Sequence, residues 1–187
     1  MKIRETLILG IKTLKNSNIE DYSLIARELL AFILKKDKHY LIVNSDIEIS
    51  DILVNKYDKY LNEIIEGKPL QYITNKQEFM KLDFYVDESV LIPQPDTEIL
   101  VEEVLKLCNE KDEIKILDLC TGSGAVAVSL GKYIKIKDKI IFASDISKNA
   151  LKIAKKNAKN NKYDIVKTVK DLANNDRCII ARIKKLL

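Results

Sequence analysis

Apolar positions recur every three to four residues through the first third of the chain. Ile3, Leu7, Ile11 and Leu14 form one stripe of a short helix, and the Asn16-Ser17-Asn18 cluster ends it. A second stripe, Ile25, Leu29, Phe32 and Ile33, follows Asp21, a residue suited to an N-cap. A third, Leu53, Tyr57, Leu61 and Ile64, begins after Ser50; Gly67 then takes the place of a helix C′ glycine and Pro69 follows the stop. The spacing predicts a small helical bundle over residues 1–66.

Between residues 67 and 95 the period changes. Aromatic and β-branched residues gather in Gln71-Tyr72-Ile73 and Phe84-Tyr85-Val86, and all three prolines of the chain, Pro69, Pro93 and Pro95, lie here. An extended or β-hairpin connector is expected. Beyond it, Ile99, Leu100, Val104, Leu105 and Leu107 predict a helix after Asp96. The run Ile114-Lys115-Ile116-Leu117-Asp118-Leu119 reads as a strand, Cys120-Thr121-Gly122-Ser123-Gly124 as a glycine turn, and residues 125–133 as a helix. A second such unit follows, from the strand Lys139 to Asp145 into a helix capped by Ser147 and carrying Ala150, Leu151, Ala154 and Ala158. Two successive units predict an α/β fold with a parallel sheet over residues 96–187. In the tail, Val166 to Lys170 and Cys178 to Ile183 flank a polar Ala173-Asn174-Asn175-Asp176 turn, the pattern of an antiparallel hairpin.

Composition narrows the possibilities. With 47% hydrophobic residues in 187, the chain can bury a core, which excludes disorder as its main character. The 32 basic and 28 acidic side chains leave +4, too little to signal a nucleic-acid or anionic-membrane protein. Lysine pairs such as Lys155-Lys156 read as solvated helix faces. No run approaches the roughly 18 apolar residues of a membrane span, and no signal peptide is apparent, so a cytoplasmic location is expected. Cys108, Cys120 and Cys178 are odd in number and widely spaced, which fits a reducing compartment and offers no zinc pair. His39 is the lone histidine and has no catalytic constellation around it in sequence. Tyr72, Phe79 and Phe84 read as packing residues.

The candidate chemistry lies in the glycine turn. Gly122 and Gly124 let backbone approach a ligand without an intervening Cβ, and the helix start that follows offers free N–H groups and the positive end of a dipole. Asp145 ends the next strand 21 residues after Gly124, close to the roughly 20 at which an acidic side chain meets a ribose hydroxyl. A strand-end aspartate also caps helices; the glycine turn before it favours a nucleoside-containing cofactor. A dinucleotide fingerprint wants a third glycine and accepts alanine, as at Ala127, so the turn alone leaves NAD open. Asp118, acidic within the strand itself, favours S-adenosylmethionine, whose sulfonium is positively charged and whose tail is an amino acid.

The chain resembles the release factor glutamine methyltransferases. The matching stretches are Gly67 to Ile73, Glu78-Phe79, Phe84-Tyr85-Val86, Val90 to Glu98, Asp118 to Gly124, Asp145-Ile146-Ser147 with Ala150-Leu151, and Asn157-Ala158. The Ile92-Pro93-Gln94-Pro95-Asp96-Thr97-Glu98 segment is the most specific of these. The resemblance implies a helical substrate-docking domain at 1–66, a β-hairpin connector at 67–95 and a truncated Rossmann-like class I methyltransferase domain at 96–187. It implies S-adenosylmethionine held by Asp118, Cys120, Thr121, Gly122, Ser123, Gly124 and Asp145, with Asp145 on the ribose, and a pocket bordered by Pro93, Gln94, Pro95 and Thr97. The family usually has arginine at Gln94 and glycine at Cys120. The implied partner is a peptide chain release factor, methylated at N5 of the glutamine in its Gly-Gly-Gln motif, with no nucleic acid or membrane partner; a monomer is expected.

An amide nitrogen is a poor nucleophile, so catalysis must hold both of its hydrogens with acceptors and aim it at the methyl group. The family does this with an Asn-Pro-Pro-Tyr motif, which does not occur in these 187 residues. From Ile114 to Leu187 there are 74 residues, about two units at roughly 30 per βαβ unit, short of a complete doubly wound sheet. The tail matches the family's terminal hairpin; a competing alignment makes Lys170-Asp171-Leu172 its third-strand motif. No catalytic residue is therefore assigned, and turnover by these residues alone is not expected. The alternatives are a non-catalytic protein-binding module derived from the family and, as a third reading, a NAD-binding oxidoreductase.

Overall fold

The computed structural model describes residues 1–108, 113–136 and 138–183, which form two compact units, Met1–Thr74 and Asn75–Leu187. The first is helical: α1 (Ile3–Asn16), α2 (Tyr22–Leu34), α3 (Lys38–Val43), α4 (Asp51–Ile65) and α5 (Leu70–Thr74). Ile3, Leu14, Leu29, Leu30, Tyr57 and Leu61 from the predicted stripes are its buried core. The Tyr57 hydroxyl, sealed in that core, donates to the Ala26 carbonyl at 3.1 Å, so its one polar atom is satisfied. Asp21 precedes α2 as expected, but its φ of 52° is left-handed and its side chain makes no capping bond.

Two elements differ from the sequence reading. Gln71-Tyr72-Ile73, expected to be extended, lies in α5, where Pro69 supplies the carbonyl that accepts from Tyr72 N at 3.1 Å. A proline just ahead of a helix starts it as readily as it stops another. Helix α3 is too short for periodicity to reveal; it is set by Asp37, whose carboxylate accepts from Tyr40 N at 2.7 Å.

The second unit opens with a hairpin, β1 (Gln77–Phe79) and β2 (Leu82–Phe84), whose Phe79 and Phe84 rings are buried edge to face at 6.1 Å. Its turn residues, Met80 and Lys81, both have positive φ, the twist that a two-residue hairpin turn requires. Glu98 and Tyr133 hold the turn, the carboxylate accepting from Met80 N at 2.6 Å and the hydroxyl donating to Met80 O at 2.5 Å.

Then follow α6 (Asp96–Cys108), β3 (Glu113–Leu119), α7 (Ala125–Tyr133), β4 (Asp138–Ser144), α8 (Lys148–Asn160), β5 (Tyr163–Lys170) and β6 (Asp176–Ile183). Strands β3 and β4 are parallel, and the sheet runs β3-β4-β6-β5, with β6 antiparallel to both of its neighbours. The tail is thus a hairpin, and Lys170-Asp171-Leu172 leads into its turn rather than ending a strand parallel to β4. Ile114, Ile116, Ile141 and Ile165 meet Val101, Val128 and Leu130 in one core. The alternate residues of β3 are not covered: Leu117 and Leu119 are 56% and 68% exposed. A parallel α/β sheet is ordinarily covered on both faces. Helices with one covered sheet face make this a truncated Rossmann-like unit.

Candidate cofactor site

Parallel register places the ends of β3 and β4 side by side, with Asp118 opposite Ala143 and Leu119 opposite Ser144. The chain leaves β3 through Cys120, whose φ of 58° is left-handed, and Thr121 N donates to Ser144 O at 2.8 Å, tying the turn to the neighbouring strand end. Gly124 N donates to Thr121 O at 2.8 Å and closes the bend. Gly124 has φ 81°, and a Cβ there would lie 3.1 Å from Ala154 Cβ and 3.2 Å from Ala154 Cα. That glycine lets the turn rest on α8. Gly122, at φ 54°, meets only the Cys120 carbonyl at 4.0 Å, so the space a side chain would take is open. One glycine serves packing and the other leaves a cradle.

Two carboxylates bind this turn from below. Asp118 is half-buried; its Oδ2 accepts from Thr121 Oγ1 at 2.6 Å, and it also accepts from the Ala127 amide in the first turn of α7. Burial pushes its pKa up, the Asp145 charge adds to the rise, and the bonds from Thr121 and Ala127 oppose it. Asp145 accepts from Gly122 N at 2.9 Å through one oxygen and from Ser147 N at 2.8 Å through the other. Each oxygen keeps a lone pair that a hydroxyl could use. Ser147 caps α8 as expected, accepting from Ala150 N at 3.2 Å. By contrast, Gly124, the N-cap of α7, has no side chain to make such a bond, and Asp118 caps that helix start instead through Ala127 N.

The structure thus brings together Asp118, Cys120, Thr121, Gly122, Ser123, Gly124 and Asp145. The other group, Pro93, Gln94, Pro95 and Thr97, stands at the entry to α6: Thr97 N donates to Gln94 O at 3.0 Å and Gln94 Nε2 to Ile92 O at 3.0 Å. Gln94 and Pro95 are exposed, Pro93 and Thr97 half-buried, and the segment's hydrogen bonds run within it. A cavity of about 250 Å³, lined by Leu105, Cys108, Tyr133, Ile134, Lys135 and Ile136, lies at the far ends of α6 and α7, away from the turn. Among the described residues no His, Cys, Asp and Glu cluster could hold a metal, and no helix is long and apolar enough to cross a membrane.

Sequence reasoning missed a latch beside the site. Arg177, at the start of β6, accepts through its carbonyl from Asp145 N at 3.1 Å, donates through its guanidinium to the Ile146 carbonyl, and donates through Nε to Asp171 at 2.8 Å. The Asn175 amide bond and the Arg177 contact hold the Asp171 carboxyl down at about 2. Only an arginine following a polar turn stood in the sequence to mark it.

Two variants test this geometry. A non-glycine residue at φ 58° is strained, so Cys120→Gly should stabilise the second unit by about 1 kcal/mol in a denaturant titration. The raised pKa of Asp118 means that the folded state binds its proton more tightly than the unfolded chain. Its contribution therefore falls as pH rises through the range from the ordinary carboxylate value to the raised one, and the cost is complete above that. Asp118→Asn should then be more stable than the wild type at neutral pH and no more stable near about pH 3, while weakening cofactor binding. Denaturation at the two pH values, beside a ligand titration, checks both halves.

Two family models match the chain. The family model of the PrmC N-terminal domain matches residues 5–74, and that of the ubiE/COQ5 methyltransferase family matches residues 96–177. The release factor glutamine methyltransferase of Clostridium acetobutylicum is 45% identical over 157 residues, 84% of this chain and 54% of that protein. That of Clostridium botulinum is 36% identical over 171 residues, 91% of this chain and 60% of its own length, and that of Leptospira interrogans is 42% identical over 146 residues, 78% and 50%. The chain spans about half the length of these curated relatives, from 50% to 60%. From its helical first unit to the glycine turn of its second, the chain belongs to the release factor glutamine methyltransferase family.

Proposed function

We propose that the turn from Asp118 to Gly124, with Asp145, binds S-adenosylmethionine, and that the reaction it serves is N5 methylation of the Gly-Gly-Gln glutamine of a peptide chain release factor. The observation that carries the cofactor reading is the placing of two carboxylates on the backbone of the turn. Asp145 takes the Gly122 N–H and Asp118 takes the Ala127 N–H, the donors that a pyrophosphate would need. A dinucleotide would meet negative charge there; a sulfonium with an amino acid tail meets complementary charge and open backbone. This weighs against the NAD alternative.

When bound, the cofactor supplies an electrophilic methyl group on a positively charged sulfur. The chain's own residues hold it in place. Gly122 leaves the cradle open, Asp145 offers its remaining lone pairs to ribose hydroxyls, and Asp118 lies where it favours positive charge. Pro93, Gln94, Pro95 and Thr97 border the pocket in this reading, and residues 1–66 dock the release factor. Ile42 and Val43, both 67% exposed, and Ile52, 79% exposed, are apolar side chains available for such docking. The chain is, in the same reading, a cytoplasmic monomer whose partner is a protein rather than nucleic acid or membrane.

These 187 residues carry no Asn-Pro-Pro-Tyr segment, so acceptors for the two hydrogens of the substrate amide are not provided by that motif. We therefore expect binding without turnover. A thermal-shift titration should show S-adenosylhomocysteine raising the melting temperature and NAD leaving it unchanged. Incubation with labelled S-adenosylmethionine and release factor should give no methylated glutamine; clear product would overturn that half. Release-factor capture that survives deletion of residues 96–187 would support the non-catalytic docking alternative.

A further inference from the structure

Asn157, fully buried on α8, uses its whole carboxamide. Its Oδ1 accepts from Tyr85 N at 2.7 Å, and its Nδ2 donates to Tyr85 O at 2.9 Å and to Ser123 O at 2.8 Å. One side chain thus holds Tyr85 from both sides, as a neighbouring strand would, and spends its remaining hydrogen on the glycine turn. Helix α8 also supplies Ala154, against which Gly124 rests, and Asn161, the residue that ends it, donates to Asp83 O at 3.2 Å. Lys156 lies over the Tyr85 ring at 3.0 Å from its centroid.

A carbonyl flanked by a glycine can flip its peptide plane at low cost, because glycine tolerates both signs of φ. With Ser123 O fixed to Asn157, the trans peptide sends Gly124 N–H to the opposite side, where it closes the turn on Thr121 O at 2.8 Å. We infer that Asn157 is the positioning residue of the cofactor turn, locking the Ser123–Gly124 peptide in its ligand-ready plane and coupling it to the Tyr85 segment. The inference rests on the cofactor reading of that turn.

Asn157→Asp tests it, because the carboxylate still accepts from Tyr85 N but faces two carbonyls without a hydrogen to give. At neutral pH, S-adenosylhomocysteine affinity should fall about tenfold. As pH is lowered the new acid protonates, regains a donor, and affinity should recover toward that of the wild type. Asp118, Asp145, Asp83, Asp87 and Lys156 are present in both proteins, so the wild-type profile is the baseline. A loss of affinity without recovery at low pH, or no loss at all, would overturn the inference. Hydrogen exchange supplies a readout that needs no ligand: protection of Tyr85, Gly122 and Gly124 amides should fall together in Asn157→Asp while that of α2 is unchanged. If the wild type fails to bind S-adenosylhomocysteine, the cofactor reading falls, and exchange alone decides the coupling. Fast exchange at Tyr85 with the turn still protected would refute it. Should the aspartate variant not fold, Asn157→Ser, whose short hydroxyl cannot bridge both partners and does not titrate, should lose affinity at every pH and lose protection at Tyr85, Gly122 and Gly124 together; unchanged affinity, or fast exchange at Tyr85 with the turn still protected, would overturn the inference.

Discussion

Gly124→Ala is expected to destabilise the Asn75–Leu187 unit by about 2–3 kcal/mol and to abolish measurable S-adenosylhomocysteine binding. Two costs add. An L-residue at φ 81° is strained by about 1 kcal/mol, and the new Cβ, 3.1 Å from Ala154 Cβ and 3.2 Å from backbone Cα, cannot be relieved by moving a flexible side-chain end. The turn must lift from α8, which also pulls Ser123 O from Asn157. Urea denaturation followed by circular dichroism measures the loss, and a variant as stable as the wild type would contradict the close approach.

Asp145→Ala should cost about 100-fold in S-adenosylhomocysteine affinity while leaving the fold intact. The alanine removes the acceptor for Gly122 N, the charge facing the cradle and the lone pairs offered to a ribose. It also orphans the Ser147 amide, but Ser147 keeps its own cap on Ala150 N, so α8 persists. Asp145→Asn retains an uncharged acceptor and should lose about tenfold. Isothermal titration of the three proteins checks the order; equal affinities would remove Asp145 from the site.

Much of this arrangement was legible in the sequence because its determinants are local. The stripes of α1, α2 and α4 repeat at helical spacing, and their Leu14, Leu29, Tyr57 and Leu61 are in the core. The strand, glycine turn and helix from residue 114 to 133 follow from apolar run, glycines and period, and Ser147 lies at the N-cap its chemistry suggests. What escaped depends on distance or on size. Asn157 meets Tyr85 across 72 positions and Ser123 across 34, and no local pattern announces such bonds. Arg177 joins the Asp145 loop to the hairpin turn by the same kind of long-range contact. Helices α3 and α5, of six and five residues, are too short to display a period. The left-handed backbone at Cys120 is hidden because nothing in the chemistry of cysteine signals it; only resemblance to a family with glycine there does.

In the proposed function an adenosyl cofactor seats between the Asp118 and Asp145 carboxylates. Titrating isotope-labelled protein with S-adenosylhomocysteine while following backbone amide resonances tests it most directly. Saturable shifts are expected, concentrated at residues 118–127 and 145–147, with α1, α2 and α4 unmoved. Shifts absent at millimolar ligand, or gathered elsewhere in the chain, would contradict it.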